Sequence, residues 1–352
     1  MELELAPPRA GEIRVRLAAS GICASDSSVL HGELASPLPI VLGHEGAGTV
    51  VEIGAGVRSL AVGDHVVITA MPQCGRCYRC SRGQPSLCEV ADGVLFSGAL
   101  RDGSHRFGTA DGRPVGQMVA AGTFAEEVVV SEISAVRIAD DVDLVPAALL
   151  GCGVLTGFGA AVNAATIRDG FSVAVIGCGS VGLAAIQGAR LAGASEIIAI
   201  DLVASKLELA SRLGAGAGLL AGELDVVDEV RALTGGRGVD VAIECVGAQG
   251  TVNQAIRMTG KGGEVVFVGA GGRDTRVNVG QFSGLVGCAK TFRGVLFGQA
   301  DIQRDVPRIL RAYRDGQFEL DRMVTARFTL DQINDGLAAL GVGDVVSAVV
   351  TL

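Results

Sequence analysis

Between Glu12 and Val130 the apolar positions fall in short β-branched runs broken by Gly, Pro and Asp. Such runs predict strands at Glu12–Ala18, Gly48–Ile53, His65–Ile68 and Thr123–Val130, and together an irregular, mostly antiparallel half. From about Gly170 the period changes. A strand is expected at Ser172–Ile176, a helix at Val181–Ala192, a strand at Glu196–Ile200 and a helix at Ser205–Leu213. Two further strands are expected at Val239–Glu244 and Gly263–Val268. Strands alternating with helices predict a right-handed, doubly wound parallel sheet of the α/β class. After about Val295 helix and strand return, and Ser347–Leu352 reads as a final strand. No internal repeat or low-complexity linker is present, although Gly214–Gly222 is rich in Ala and Gly.

Composition narrows the classes. The 352 residues suggest about two domains at roughly 150 residues each. With 49% apolar and 19% charged residues, disorder is excluded. The 29 Lys plus Arg against 38 Asp plus Glu leave a net charge of −9, which repels phosphate backbones and argues against nucleic acid as a partner. Fifty-two glycines, no Trp and 2 Tyr describe small side chains and tight turns, as in a nucleotide-binding protein, without the aromatic anchors of many recognition modules. The first five residues lack a basic region followed by an apolar core, so no signal peptide is expected. The stretch Leu144–Ile167 is uncharged, but Pro146, Asn163 and four glycines make it a poor membrane span. A cytoplasmic protein with no membrane partner is the expectation.

Four of the nine cysteines fall in fifteen residues, as Cys74-x2-Cys77-x2-Cys80-x7-Cys88. Sulfurs two residues apart can turn onto one centre at about 2.3 Å, so this set predicts a closed, all-thiolate structural zinc site. Disulfides and an iron–sulfur cluster are the alternatives. The first is disfavoured by the crowded spacing and the lack of a secretory signal, the second by the polar loop with Arg76, Arg79 and Arg82.

The strand ending at Ile176 leads into Gly177-Cys178-Gly179-Ser180-Val181-Gly182, and the next strand ends in Asp201. This strand–turn–helix context makes the G-x-G-x-x-G a dinucleotide fingerprint. Gly177 would permit the tight turn, Gly179 the approach of the pyrophosphate, and Gly182 close packing of helix on sheet. Asp201 would accept from both ribose hydroxyls and repel a 2′-phosphate, favouring NAD over NADP.

Cys23, His44 and Cys152 could give three ligands to a catalytic zinc with an open fourth position. From spacing alone, a buried thiol and a core histidine remain the commoner reading.

The chain resembles the zinc-dependent medium-chain alcohol dehydrogenases over nearly its whole length. The matching segments are G-x-C-x-S-D at Gly21–Asp26, GHEGAG at Gly43–Gly48, VGDHV at Val62–Val66, PQCGRC at Pro72–Cys77, GCGVLTG at Gly151–Gly157 and VIGCGSVG at Val175–Gly182. The resemblance implies a doubly wound Rossmann sheet plus a mostly β, GroES-like catalytic domain carrying the zinc lobe. The boundaries would be a catalytic part at 1–153, an NAD-binding part at 154–295 and a return to the catalytic part at 296–352, with the site in their cleft. It further implies two zinc ions per chain: a catalytic one on Cys23, His44 and Cys152, with Glu45 as an alternative ligand, and a structural one on the four clustered cysteines. Asp26 would hold the other ring nitrogen of His44, and Ser25 would accept the substrate proton. Thr156, Val181 and Val268 would line the nicotinamide, and Lys206 would join Asp201 at the ribose. The remaining Cys178, Cys245 and Cys288 are expected in the core, His65 in a structural role, and His31 and His105 at the surface.

The sequence departs from the family in four respects. The opening strand pair of some two dozen residues does not precede Met1, which predicts a bare edge or a different start. Ala24 and Ser347 stand where positive residues often meet the pyrophosphate. Ser28 replaces a relay histidine. Ala70, Leu87, Gly93, Ala125 and Ala270 align with pocket positions that are often bulky, while Leu34 and Phe124 keep that wall apolar. The segment Arg101–Ala121 resembles the longer loop of the dimeric members, so a homodimer is expected. The expected reaction is hydride transfer between a bulky, apolar, primary alcohol and NAD, giving an aldehyde or ketone. Two alternatives are a thiol-adduct formaldehyde dehydrogenase and a non-catalytic zinc- or NAD-binding redox sensor.

Overall fold

The computed structural model describes residues 2–272, 274–343 and 345–352. The chain forms two compact units: Met1–Cys152 with Asp301–Gly316 and Leu320–Leu352, and Gly153–Ala300 with Gln317–Glu319.

The first unit is built on strands β1 (Glu4–Leu5), β2 (Glu12–Ile22), β3 (Ile40–Val41), β4 (Gly46–Ile53), β5 (His65–Ile68), β6 (Phe107–Gly108), β7 (Pro114–Gln117), β8 (Glu127–Ser131) and β9 (Ala135–Ile138). The second contributes β10 (Ser172–Ile176), β11 (Glu196–Asp201), β12 (Ala217–Leu220), β13 (Val239–Glu244), β14 (Thr259–Phe267) and β15 (Thr291–Gly294). The chain then returns to the first with β16 (Ala326–Thr329) and β17 (Ala348–Thr351).

In the first unit a seven-stranded sheet runs β16-β17-β2-β4-β5-β9, with β8 also paired to β2, and a smaller sheet runs β1-β6-β7-β3. Along β2, Ile13, Val15 and Leu17 point into the core with Val50, Val66, Ile68, Val128 and Val130, while Arg14 and Arg16 face outward. β2 extends four residues beyond the expected Ala18. The small residues Ala19–Gly21 carry no alternation, but β17 supplies their ladder, pairing Thr351 with Ala19 and Ala348 with Ile22. Conversely, β8 starts at Glu127 rather than Thr123, because the Thr123 and Phe124 N–H groups donate to Gly43 and Leu42. The 101–121 segment folds back as the β6–β7 hairpin and is fastened by the buried Arg106, which donates to both carboxylate oxygens of Glu12 at 2.8 and 2.6 Å.

The second unit is a six-stranded, wholly parallel sheet in the order β12-β11-β10-β13-β14-β15. This is the doubly wound Rossmann order, with its switch point between β10 and β13. Its central strand is buried on both faces, with Val173, Ala174 and Val175 fully inaccessible. The Ala/Gly-rich segment supplies the edge strand β12. Among the described residues no single helix is long and apolar enough to cross a membrane.

Candidate active site

β2 delivers the first ligand. It ends at Ile22, and Cys23 caps the short helix Ala24–Leu30. Asp26, in the first turn, is fully buried; its Oδ2 accepts from the Cys23 N–H at 2.9 Å and its Oδ1 from the Gly43 N–H at 2.9 Å. The same Oδ1 lies 3.1 Å from His44 Nδ1, so one carboxylate fixes the strand end, the loop and the imidazole ring. Gly43 has φ +86°, and a Cβ there would stand 2.6 Å from Thr123 Oγ1, so only glycine lets the loop bring His44 inward. Cys152 follows the 3₁₀ turn Ala148–Gly151, which is anchored by the Ala70 N–H donating to Gly151 at 3.1 Å.

The donor atoms of Cys23, His44 and Cys152 all lie within 4.8 Å of one another. Ligands at about 2.0–2.3 Å from one zinc ion stand about 3.3–3.8 Å apart in a tetrahedron. His44 Nε2 is buried and has no hydrogen-bond partner among the described residues. Two thiols and an orphaned imidazole nitrogen are a donor set that suits zinc. Burial opposes charge on the ring, but the Asp26 carboxylate outweighs it and holds His44 well above its ordinary range. The Cys152 hydrogen bond draws Cys23 well below the thiol range, and that bond together with burial pushes Cys152 well up. Glu45 is buried alongside, and its carboxylate fills the space that a Cβ on Gly21 would take.

Ser25 Oγ lies 3.8 Å from Cys23 Sγ. Ser28, one turn further along the helix, donates to Glu33 Oε2 at 2.8 Å. Nothing in the sequence pattern marked Glu33, which lies in the loop beyond the helix.

The second cluster is local. Cys74, Cys77, Cys80 and Cys88 likewise have their sulfurs within 4.8 Å of one another, and all four are free thiols. Backbone N–H groups point at the sulfurs: Cys74 to Cys88 at 3.3 Å, Cys77 to Cys74 at 3.4 Å and Cys80 to Cys77 at 3.5 Å. The Cys80 N–H is the main cause bringing the Cys77 thiol down to about 6, whereas burial pushes Cys80 up to about 12. Gly75, at φ +71°, makes the turn between the first two sulfurs.

In the other unit, Gly177 has φ +90° and its N–H donates to Ile200 at 2.8 Å. A Cβ on Gly182 would overlap the Gly177 carbonyl oxygen, and the space above Gly179 is open, leaving a bare backbone edge at the start of the helix Ser180–Leu191. Asp201 ends β11; its Oδ2 accepts from the Cys178 N–H at 2.6 Å and its Oδ1 from the Val203 N–H at 3.0 Å. The carboxylate is thus held at the rim of the turn. Lys206, in the helix Ala204–Arg212, is near enough to act electrostatically on Cys178. Thr156 lies on the helix Gly153–Gly159, which packs against Val181 because Gly157 has no Cβ to strike the Val181 carbonyl oxygen. Val268 follows β14 and donates to Glu244 at 2.8 Å.

Three expectations need correction. Cys245, just beyond the end of β13, is half-buried rather than in the core. Cys288 is not in the core: it is half-buried, with its thiol donating to Ser283 at 2.9 Å, because it sits in the turn before the edge strand β15. His105 is half-buried rather than exposed, since its ring bonds the Gly98 carbonyl at 3.1 Å.

Residues 9–140 match the alcohol dehydrogenase GroES-like domain, and residues 180–313 match the zinc-binding dehydrogenase domain. The chain is 39% identical to the NDMA-dependent alcohol dehydrogenase of Amycolatopsis methanolica, over 99% of this chain and 94% of that one. It is 35% identical to the S-(hydroxymethyl)glutathione dehydrogenase of Komagataella pastoris, over 100% and 93%. Among solved structures it is similar to benzyl alcohol dehydrogenase from Acinetobacter calcoaceticus, with TM-score 0.93 and 33% identity over 99% and 94% of the two chains. It is also similar to a zinc-binding dehydrogenase of Sinorhizobium meliloti solved with NADP, with TM-score 0.80 and 31% identity over 99% and 94%. With the doubly wound sheet, the GroES-like unit and the two cysteine centres all in one chain, this protein belongs to the zinc-dependent medium-chain alcohol dehydrogenase family and is an oxidoreductase of that class.

Proposed function

We propose that the chain oxidises a bulky, apolar, primary alcohol with NAD, at a zinc ion on Cys23, His44 and Cys152, with a second ion on Cys74, Cys77, Cys80 and Cys88. The observation that carries this reading is the orphaned His44 Nε2 grouped with two thiols, three donors in all. Zinc held there supplies Lewis acidity that makes a substrate hydroxyl a stronger acid. Asp26 keeps the imidazole oriented, and Ser25 takes the hydroxyl proton and passes it outward, with Ser28, one turn along the same helix and bonded to Glu33 of the following loop, as the next hydrogen-bonding group. A nicotinamide held beside Thr156, Val181 and Val268 would supply the acceptor for the hydride of the carbinol carbon. Asp201 and Lys206 hold the adenosine ribose. Asp201 also disfavours a 2′-phosphate, which supports NAD even though one structural relative was solved with NADP.

The substrate reading rests on volume. Ala70 is small and buried, and Gly93 and Ala125 are small as well. Each additional methylene contributes about 0.8 kcal/mol when buried, so benzyl alcohol and octanol are expected to exceed ethanol in kcat/KM, followed as NADH formation. Ala70→Phe should depress the bulky substrates and spare ethanol. Ethanol equal to or better than benzyl alcohol in the wild type overturns the reading. The Komagataella relative supports a second reading, a glutathione thiol adduct as substrate. A higher kcat/KM for S-(hydroxymethyl)glutathione than for benzyl alcohol would favour it.

A homodimer is supported by the second unit's edge. Among the described residues β15 pairs only with β14, and in the helical turn that precedes it along the chain Phe282 is 77% and Val286 61% exposed. Phe282→Glu should convert a dimer to a monomer in sedimentation; a wild-type monomer overturns this part.

A further inference from the structure

A cavity of about 700 Å³ lies in the first unit, between the cysteine lobe, the start of β2 and the 101–121 segment. That volume is in the range of small-molecule sites, roughly 300–1,000 Å³. Its wall is divided by chemistry. Val90, Val94, Leu100 and Ile133 give it apolar lining, while Arg76 and Arg101, both exposed, line it together with Arg9. Val94 and Leu100 pack with Ala120 as a small cluster of their own.

The acidic groups on the wall are already engaged. Asp102 is paired with Arg9 at 2.9 Å and Arg106 at 3.4 Å. Glu12 takes both bonds from Arg106, and Glu132 accepts from the Arg58 N–H at 3.1 Å and the Ser59 hydroxyl at 3.0 Å. Arg76 and Arg101 have no carboxylate partner among the described residues. The floor is also conformationally costly. Val119 and Ala120 both have positive φ, +45° and +57°, a conformation that non-glycine residues rarely adopt, and Ala120 lines the cavity.

We propose that this cavity binds an organic acid, with a monoanionic carboxylate on Arg76 and Arg101 and an apolar tail against Val90, Val94, Leu100 and Ile133. Two guanidinium groups suit a carboxylate's paired oxygens. A doubly charged head is disfavoured by the three acids already on the wall. The apolar face requires a tail, which acetate lacks. The cavity shares no lining residue with the Cys23–His44–Cys152 centre, and the proposal does not depend on the alcohol reading.

Calorimetric titration of the zinc-loaded full chain tests this, using octanoate, acetate and inorganic phosphate as probes. Octanoate should bind, acetate at least about tenfold more weakly, and phosphate weakly as well. Arg76→Ala and Arg101→Ala, both at exposed positions, should each weaken octanoate by about tenfold and leave alcohol turnover unchanged. Cys23→Ala should leave octanoate binding as it is. No octanoate binding at millimolar concentration overturns the proposal, as does unchanged affinity in the two arginine variants. Binding lost in Cys23→Ala but kept in the arginine variants places the acid at the metal centre and overturns it too. Phosphate binding as tight as octanoate reduces the site to a simple anion patch and likewise overturns it.

Discussion

The two cysteine centres use similar donors but depend on the protein in opposite ways. The lobe spans Cys74–Cys88 and holds its sulfurs with its own backbone N–H groups; among its four cysteines only Cys88 is buried. It has almost no apolar core, so a metal ion held there would do much of the work of ordering it. The Cys23–His44–Cys152 centre is assembled across about 130 residues by the end of β2, a glycine-dependent loop and a 3₁₀ turn. The sheet already places those donors, so a metal ion held there would serve chemistry more than folding.

Removing one ligand from each centre should therefore give opposite phenotypes. Cys23→Ala is expected to lower kcat by about 10³-fold or more, since several kcal/mol of charge stabilisation is lost, while Tm in a thermal melt stays within a few degrees. Next in size, Cys77→Ala should cost about 3 kcal/mol or more of stability, roughly a 10 °C fall in Tm, and reduce elemental zinc from two ions per chain to one. The reverse pattern, with Cys23→Ala unfolded and Cys77→Ala merely inactive, breaks the comparison.

A smaller effect sharpens it. Asp26→Asn keeps the shape but loses the charge that orients His44, and should weaken zinc affinity or activity about 10–100-fold, measured by competition with a metal chelator. In the other unit, Asp201→Ala should narrow the preference for NAD over NADP by about 1–3 kcal/mol, read from the ratio of kcat/KM values. Smallest of all, Gly75→Ala meets open space and pays only for its positive φ, about 1–2 kcal/mol in a denaturant melt. Gly43→Ala, on the active side, meets Thr123 and Phe124 as well and should exceed it.

The same difference decides what the sequence discloses. Fifteen contiguous residues with four cysteines announce the lobe, and the β10–turn–helix segment announces the dinucleotide site, because both are short-range patterns. The strands β5, β10 and β13 have the bounds expected of them, since each is a plain apolar run between turn residues. The extension of β2 through Ala19–Gly21 was invisible, because its reason is β17, over three hundred residues away. The Cys23–His44–Cys152 grouping emerged from resemblance to a family rather than spacing, as the three come together only when the sheet forms. Glu33, the Glu45 clearance at Gly21 and the strained Val119–Ala120 pair left no linear mark at all.

The single carboxylate of Asp26 has a consequence for biosynthesis. As the chain leaves the ribosome, Cys23, Asp26 and His44 emerge before the lobe, and the four lobe sulfurs are complete by residue 88. Cys152 follows His44 by 152 − 44 = 108 residues. A metal ion proposed for the lobe would therefore meet a complete donor set on the nascent chain, while the two-donor half-site would await its third ligand. For the two proposed ions, the order of loading would follow the order of synthesis.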